Sequence, residues 1–270
     1  MSDELGDEMT MTTSAALRPL ALQLYSVRDV LQTDYVAVID QLAAMGLSGV
    51  EYAGLYYESP ARSAELCRSA GLEIVAAHVP LPLGEQKNAV LDTLGELGTK
   101  RMVCAYIPPE EFTSVDSIRR LCDTLNEADL VARSNGLELL YHNHWWEYQR
   151  LPGGGEYAYL IMHEHLSPTI RYEIDAYWVR VGGVNVPQAL NELGDRVTLL
   201  HVKDGPGSSE QAMLPVGDGI MNYHEIIPAA TAAQWLIIEL DRCDTDMLEA
   251  IQQSVRYLER GQLGRLRQTP

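Results

Sequence analysis

The 270-residue sequence is poor in positive charge: 20 Lys+Arg stand against 38 Asp+Glu, a net charge of −18. That shortage argues against nucleic acid and against an anionic membrane as partners, since both select for clustered Lys and Arg. Cysteine is scarce too. Cys67, Cys104, Cys122 and Cys243 lie far apart with no CxxC pair, which reads as reduced thiols in a cytoplasmic protein. No apolar run reaches bilayer length; the longest candidate, Ile226 to Ile238, is short and holds Pro228 and Gln234. The first residues carry Asp3, Glu4, Asp7 and Glu8 without a basic partner, unlike a secretory signal. Residues 1–17 are therefore expected to be a disordered acidic tail. The phosphate-cradling patterns GxGxxG and GxxxxGK[ST] are missing as well, which removes the usual mark of an open, doubly wound sheet. Phe112 is the lone phenylalanine beside 14 tyrosines, and no functional account of that balance follows.

What is present is one phrase repeated: an amphipathic helix, a small-residue stop, then a short apolar run. Ala44-Met45-Gly46-Leu47 precedes Gly49-Val50-Glu51-Tyr52; Ser69-Ala70-Gly71-Leu72 precedes Ile74-Val75-Ala76-Ala77-His78. Ser134-Asn135-Gly136-Leu137 precedes Leu139-Leu140-Tyr141-His142 in the same way. Glycine just past a helix takes the left-handed cap conformation, and the apolar run after it is a buried strand. Alternating helix and strand means parallel strands with crossover helices. Such runs predict eight strands ending near Tyr25, Glu51, His78, Ala105, His142, Asp175, His201 and Glu239. Eight units in a chain of this length predict a single α/β domain, a closed (β/α)8 TIM barrel over residues 18–262. A basic C-terminal tail is expected over 263–270.

Side chains alternate across a strand, so residues two apart share a face. Leu20, Leu22 and Leu24 oppose Gln23 and Tyr25; Glu173 and Asp175 oppose Tyr172 and Ile174. His201 and Lys203 oppose Leu200 and Val202, while Glu239 and Asp241 oppose Leu236, Ile238 and Leu240. The wholly apolar faces must meet the outer helices, so the polar ones point into the barrel mouth. Glu51, His78, His142 and His144 join them there. Unpaired buried carboxylates cost several kcal/mol, so the cluster calls for a cation or tight pairing. Asp175, His201 and Glu239, from three consecutive strands, are the best metal ligands. Their donor set suits one divalent ion, Mn²⁺, Mg²⁺ or Co²⁺, with Zn²⁺ as an alternative.

The run Gln23-Leu24-Tyr25-Ser26-Val27-Arg28, with Tyr141-His142-Asn143-His144-Trp145-Trp146-Glu147-Tyr148, resembles the xylose isomerase-like barrel superfamily. Glu173-Ile174-Asp175-Ala176-Tyr177-Trp178-Val179, His201-Val202-Lys203-Asp204, Gly217-Asp218-Gly219 and Ile238-Glu239 extend the likeness over the whole barrel. It is closest to the sugar phosphate isomerase/epimerase and inosose dehydratase-like branch. The resemblance implies one divalent metal held by four ligands on strands five to eight. Asp175, His201 and Glu239 carry over directly. The fourth is assigned to Glu147 ahead of His142 or His144, because hard cations prefer oxygen. His142 and His144 then bind substrate, together with Tyr25, Glu51, Glu173 and Trp178. In such isomerases and epimerases two glutamates move a proton through an enediolate, and Glu147 and Glu239 fill those roles. In dehydratases a histidine or lysine donates the proton, which points to His78 and Lys203. The apurinic endonucleases of the superfamily carry a histidine three residues after the strand-six aspartate, where this chain has Trp178.

These readings make a metal-dependent isomerase or epimerase of a sugar or polyol the leading function. A metal-dependent lyase or dehydratase of a keto-inositol or keto-sugar is the alternative, and a sugar-binding barrel without catalysis the third. The glycines around Gly205 and Gly217 follow strand seven, where barrels often bind phosphate, but no basic residue accompanies them, so a phosphorylated substrate is not expected. His163 and His165 form an HxH phrase in an expected outer helix, where that spacing points the rings apart. A homo-oligomer is compatible with the resemblance.

Overall fold

The structure, a computed structural model, describes residues 17–54 and 57–268; of the acidic tail expected over 1–17, residues 1–16 lie outside the described residues. Its strands are β1 Arg18–Gln23, β2 Gly49–Tyr52, β3 Glu73–His78, β4 Arg101–Cys104 and β5 Glu138–His142. They continue with β6 Arg171–Asp175, β7 Val197–Val202, β8 Trp235–Ile238 and a short β9, Gly264–Arg265. Strands β1 to β8 pair in parallel in chain order, and the β1–β2 and β1–β8 pairings close the ring. This is a single TIM barrel, with each strand ending within two residues of its expected position.

The local reasons match the sequence reading. Gly46, Gly71 and Gly136 stand past three helices at φ 89°, 76° and 72°, a left-handed region that L side chains avoid. Helix starts are capped by side chains: Asp34, Ser59, Ser114, Asn185 and Asp246 each accept a backbone N–H from the first turn. The outward faces of the strands, with Leu20, Leu22, Ile174, Leu200, Val202 and Ile238, are buried under the helices. The inward faces divide into two levels. Ala21, Val75, Ala76, Val103, Leu140, Leu199, Trp235 and Ile237 form a separate apolar plug in the lower barrel. Two residues further along the same strands stand Gln23, His78, His142, His201 and Glu239. The plug gives the polar layer a dry floor.

Two expectations need correction. Tyr25 does not continue the inward face of β1, because the chain turns into a 3₁₀ helix, Leu24–Val27, directly after Gln23. Its ring is 40% exposed at the mouth of the barrel. The segment beyond residue 262 is also more than a tail. β9 pairs with Arg18 and Pro19 of β1, and Arg267 donates to the carbonyls of Ala43 and Ala70. The guanidinium thereby adds a donor to carbonyls at the ends of two helices, where backbone acceptors run short of intrahelical partners. Among the described residues no helix is long and apolar enough to cross a membrane.

Candidate metal centre and active site

Strand register assembles the polar layer. His142 of β5 lies beside Glu173 of β6, Asp175 of β6 beside His201 of β7, and Gln23 of β1 beside Glu51 of β2. Glu239 follows β8 immediately and Lys203 follows β7. Glu51, Glu173, Asp175 and His201 are completely buried, and Lys203 and Glu239 nearly so.

Two groups emerge. In the first, His142, Asp175, His201 and Glu239 each offer one ligand atom, all within 4.8 Å of one another. In the second, Glu51 and Glu173 face His78, His142 and His201 from below: His201 Nε2 is 2.7 Å from Glu51 Oε2, and His78 Nε2 is 2.9 Å from Glu173 Oε1. Gln23 Nε2 donates to Glu51 Oε2 at 2.8 Å. Lys203 Nζ joins the first group, 2.8 Å from Asp175 Oδ2, 2.9 Å from Glu239 Oε2 and 3.1 Å from Asp241 Oδ1.

Charge states follow from burial set against these neighbours. Burial pulls the Lys203 ammonium down, but Asp175, Asp241 and Glu239 together outweigh it and hold the group well above its usual range. His201 is likewise opposed by burial and carried upward by Glu173, Glu51 and Glu239, and His78 is pushed up to about 10 by Glu51 and Glu173. Burial keeps His142 and His144 neutral, helped by the positive neighbours of each. Glu239 resists burial because Lys203 and His201 hold it far below the usual carboxylate range. Asp175, pushed up to about 6 by burial, is restrained by the same two cations. Acidic side chains thus outnumber the basic ones they face: Glu51, Glu173, Asp175, Glu239 and Asp241 stand against Lys203, His78 and His201. Two carboxylates with two imidazoles are the donor set that a divalent transition ion accepts. The residues present fit such an ion.

Glu147 is not part of this set. It is buried, but Oε1 accepts from the Tyr141 hydroxyl at 2.8 Å and Oε2 from the His144 N–H at 3.0 Å. Both oxygens are spoken for, and His142 stands in the metal group where Glu147 was expected. Burial outweighs those two hydrogen bonds and pushes the carboxyl up to about 8, so it is mostly protonated at neutral pH. A folded pKa above the unfolded one stabilises the fold fully at low pH. That contribution is lost as pH rises from about 4.5 through about 8. Glu147→Gln keeps the shape without ionising: its carbonyl can accept from the His144 N–H while its amide donates to the Tyr141 hydroxyl oxygen. Urea denaturation between about pH 5 and pH 8.5 should then show wild type losing about 2–4 kcal/mol relative to the variant. Parallel pH profiles would rule out a buried neutral Glu147.

Above the polar layer opens a cavity of about 850 Å³, lined by His78, His142, His144, Lys203, Glu239 and Asp241 on its floor. Tyr25, Tyr106, Trp145, Trp178 and Arg242 form its walls and mouth. Trp145 and Trp178 pack 4.9 Å apart by ring centroid, and the Lys203 ammonium lies 5.3 Å from the Trp178 ring. Trp146 instead stacks on His144 at 4.4 Å and does not line the cavity. The Trp178 N–H is taken by Asp175 Oδ1, which fixes that carboxylate at the start of the following helix.

Sequence reasoning missed Gln23, Asp241 and Asp204 as contributors, although alternation had put the first two on the inward faces. Asp204 is wholly buried and accepts from the N–H groups of Gly205, Gly217 and Met221. It ties down the glycine-bearing loop after β7, and a Cβ on Gly219 would come within 2.0 Å of its Oδ1. His163 and His165 serve outside the barrel: His163 Nδ1 is 3.3 Å from the Tyr172 hydroxyl, and His165 Nε2 accepts from Arg119.

A family model described as xylose isomerase-like TIM barrel matches residues 39–261. A search of curated proteins found no match. Among solved structures, a sugar phosphate isomerase/epimerase from Parabacteroides distasonis ATCC 8503 is 22% identical, with a TM-score of 0.80. The alignment covers 97% of this chain and 100% of that one. The probable 3-DHS dehydratase AsbF from Bacillus anthracis is 14% identical, with a TM-score of 0.72, over 89% of this chain and 98% of its own. A D-allulose 3-epimerase from Methylomonas sp. is 12% identical, with a TM-score of 0.66, over 91% and 98% respectively. At such identities the likeness is one of fold.

Proposed function

The chain belongs to the xylose isomerase-like TIM barrel family, and from that premise we propose that it isomerises or epimerises a neutral sugar or polyol with one divalent metal ion. Four ligand atoms within 4.8 Å, on the last four barrel strands and beneath an open cavity, carry this reading. His142, Asp175, His201 and Glu239 would hold the ion, with His142 in the role first given to Glu147. When bound, the ion would supply Lewis acidity to a carbonyl and its neighbouring hydroxyl.

The chain's own groups supply the rest. Glu239, kept ionised by Lys203 and His201, is the base for a proton on carbon next to the carbonyl. Lys203 and the His78 ring line the cavity from β7 and β3, on opposite sides of the barrel, and are the groups at hand to return the proton. Trp145 and Trp178 present flat apolar faces to the C–H side of a sugar ring. A phosphate is not provided for: Lys203 is committed to three carboxylates, and Arg242 donates to the carbonyls of Ser209 and Gln211. The substrate is therefore read as neutral. Glu51 and Glu173, expected to meet substrate hydroxyls, are engaged by histidines beneath the cavity floor and are not assigned that contact.

The Lys203 ammonium supports a second reading. An ammonium on the cavity floor, 2.9 Å from Glu239, is placed to hydrogen-bond a departing β-hydroxyl in a dehydratase. Incubation of Mn²⁺-loaded protein with a panel of keto-sugars and inososes in D₂O separates the readings. Deuterium entering next to the carbonyl with the carbon skeleton and its oxygens retained is the expected result. Loss of water favours the dehydratase; bound sugar with neither outcome favours the non-catalytic barrel.

A further inference from the structure

We infer that Glu173 is a positioning residue that decides which ring nitrogen His142 offers to the metal and, together with Glu51, which one His201 offers. A single oxygen, Glu173 Oε1, lies 2.9 Å from His78 Nε2, 3.0 Å from His142 Nδ1 and 3.1 Å from His201 Nε2. The three rings reach it from β3, β5 and β7, with centroids 4.8–5.9 Å apart.

An imidazole has one nitrogen on each side. When one donates to a carboxylate, the other turns its lone pair away from it and the ring plane is fixed. Donation from His142 Nδ1 therefore leaves Nε2 for the cavity. Donation from His201 Nε2 leaves Nδ1, the atom found 2.7 Å from Glu239 Oε2. Glu173 Oε1 thus sets His142 and shares His201 with Glu51. Glu51 acts on His201 alone among these ligands, at 2.7 Å, and is itself held by Gln23.

The backbone is shaped for this. Register shifts in the barrel fall between Val50 and Glu51 and between Tyr172 and Glu173, at the two carboxylates concerned. Such irregularities re-aim a side chain within a strand and are over-represented beside active sites. Glu173 Oε2 has no hydrogen-bond partner, so the arrangement gives up polar satisfaction on one oxygen to gather three rings on the other.

The group His78, His142, Glu173 and His201 also has the spacing of a metal site in its own right. Its contacts are accounted for without an ion, since one nitrogen of each ring in it already faces a carboxylate oxygen.

The inference rests on the metal reading above, and wild type and variants test the two separately. Chelator-treated full-length protein is titrated with Mn²⁺ by calorimetry and with Co²⁺ by visible absorption. Wild type is expected to bind one ion per chain. Glu173→Gln is expected to weaken Mn²⁺ binding about 10–100-fold and to alter the Co²⁺ bands, with circular dichroism unchanged. Glu51→Gln, which leaves His142 untouched, should weaken it less. Should Glu173→Gln fail to fold, Glu173→Asp keeps the charge but withdraws the oxygen from the rings, and weaker binding is again expected. Equal affinity in wild type and the folded variant overturns the inference while leaving the metal reading intact. Two ions in wild type and one in Glu173→Gln overturn it too, by making Glu173 a ligand. A wild type that binds no ion overturns both.

Discussion

Lys203→Met is expected to cost the metal-free protein about 3–5 kcal/mol of stability, and Mn²⁺ is expected to return most of it. Lys203 is 1% exposed, with Asp175, Glu239 and Asp241 all within 3.1 Å of its ammonium. Methionine fills nearly the same volume, so packing changes little. What disappears is the positive charge, and removing one partner of a buried ionic group is costly because the other stays buried and unpaired. For a domain of this size the loss corresponds to a fall in melting temperature of roughly 10 °C. A divalent ion bound at Asp175 and Glu239 neutralises the same carboxylates and stabilises the folded state by mass action. Thermal melts of both proteins, with EDTA and with excess Mn²⁺, check this. A variant as stable as wild type would mean that the ammonium does not hold the carboxylates together. A destabilised variant indifferent to Mn²⁺ would mean that no cation binds there. Turnover should fall by about 10²–10⁴ even with metal bound, the usual weight of one proton carrier.

Asp175→Asn should leave the fold in place and empty the metal centre. Its Oδ1 caps the helix after β6 through the Trp178 N–H, a duty that an asparagine carbonyl keeps. Its Oδ2, buried and facing Lys203, is the oxygen that the substitution removes from the proposed ligand set. On the proposed metal reading, the ion's Lewis acidity would be worth several kcal/mol to the reaction. A loss of about 4 kcal/mol corresponds to a rate roughly a thousandfold lower. Metal analysis after dialysis against trace Mn²⁺, together with steady-state rates, measures both effects. A variant that retains the ion and its rate would remove Asp175 from the centre.

Much of this was legible in the sequence because it depends on short-range rules. Gly46, Gly71 and Gly136 announced helix ends through backbone geometry alone, and with the apolar runs after them they fixed the barrel. Two-residue alternation put Asp175, His201, Lys203 and Glu239 on one interior surface. Alternation fails where the strand stops, and Tyr25 was misread because the helical turn after Gln23 carries it to the rim. The choice between Glu147 and His142 was out of reach for another reason. Donor preference favours oxygen, but availability depends on who else uses that oxygen. The Tyr141 hydroxyl and the His144 N–H occupy Glu147 in a way that only the folded loop reveals. The gathering of three histidines on Glu173 joins residues 95 positions apart, His78 and Glu173, and no local pattern records it.

The pairing of β1 with β8 and β9 bears on how the polypeptide is born. Arg18 Nε donates to the carbonyl of Ala233, 215 residues later, and Arg265 Nε donates to that of Leu17, 248 residues earlier. At ribosomal speeds the first strand emerges ~10–40 s before its eighth neighbour, and until then one of its edges stays open. The ring cannot close on the ribosome while that neighbour is still in the exit tunnel. Pairings this distant in sequence also slow the closing step itself. Throughout that interval the nascent chain exposes a bare, strongly apolar strand edge, and chaperone capture is expected to concentrate on the Pro19–Leu24 segment.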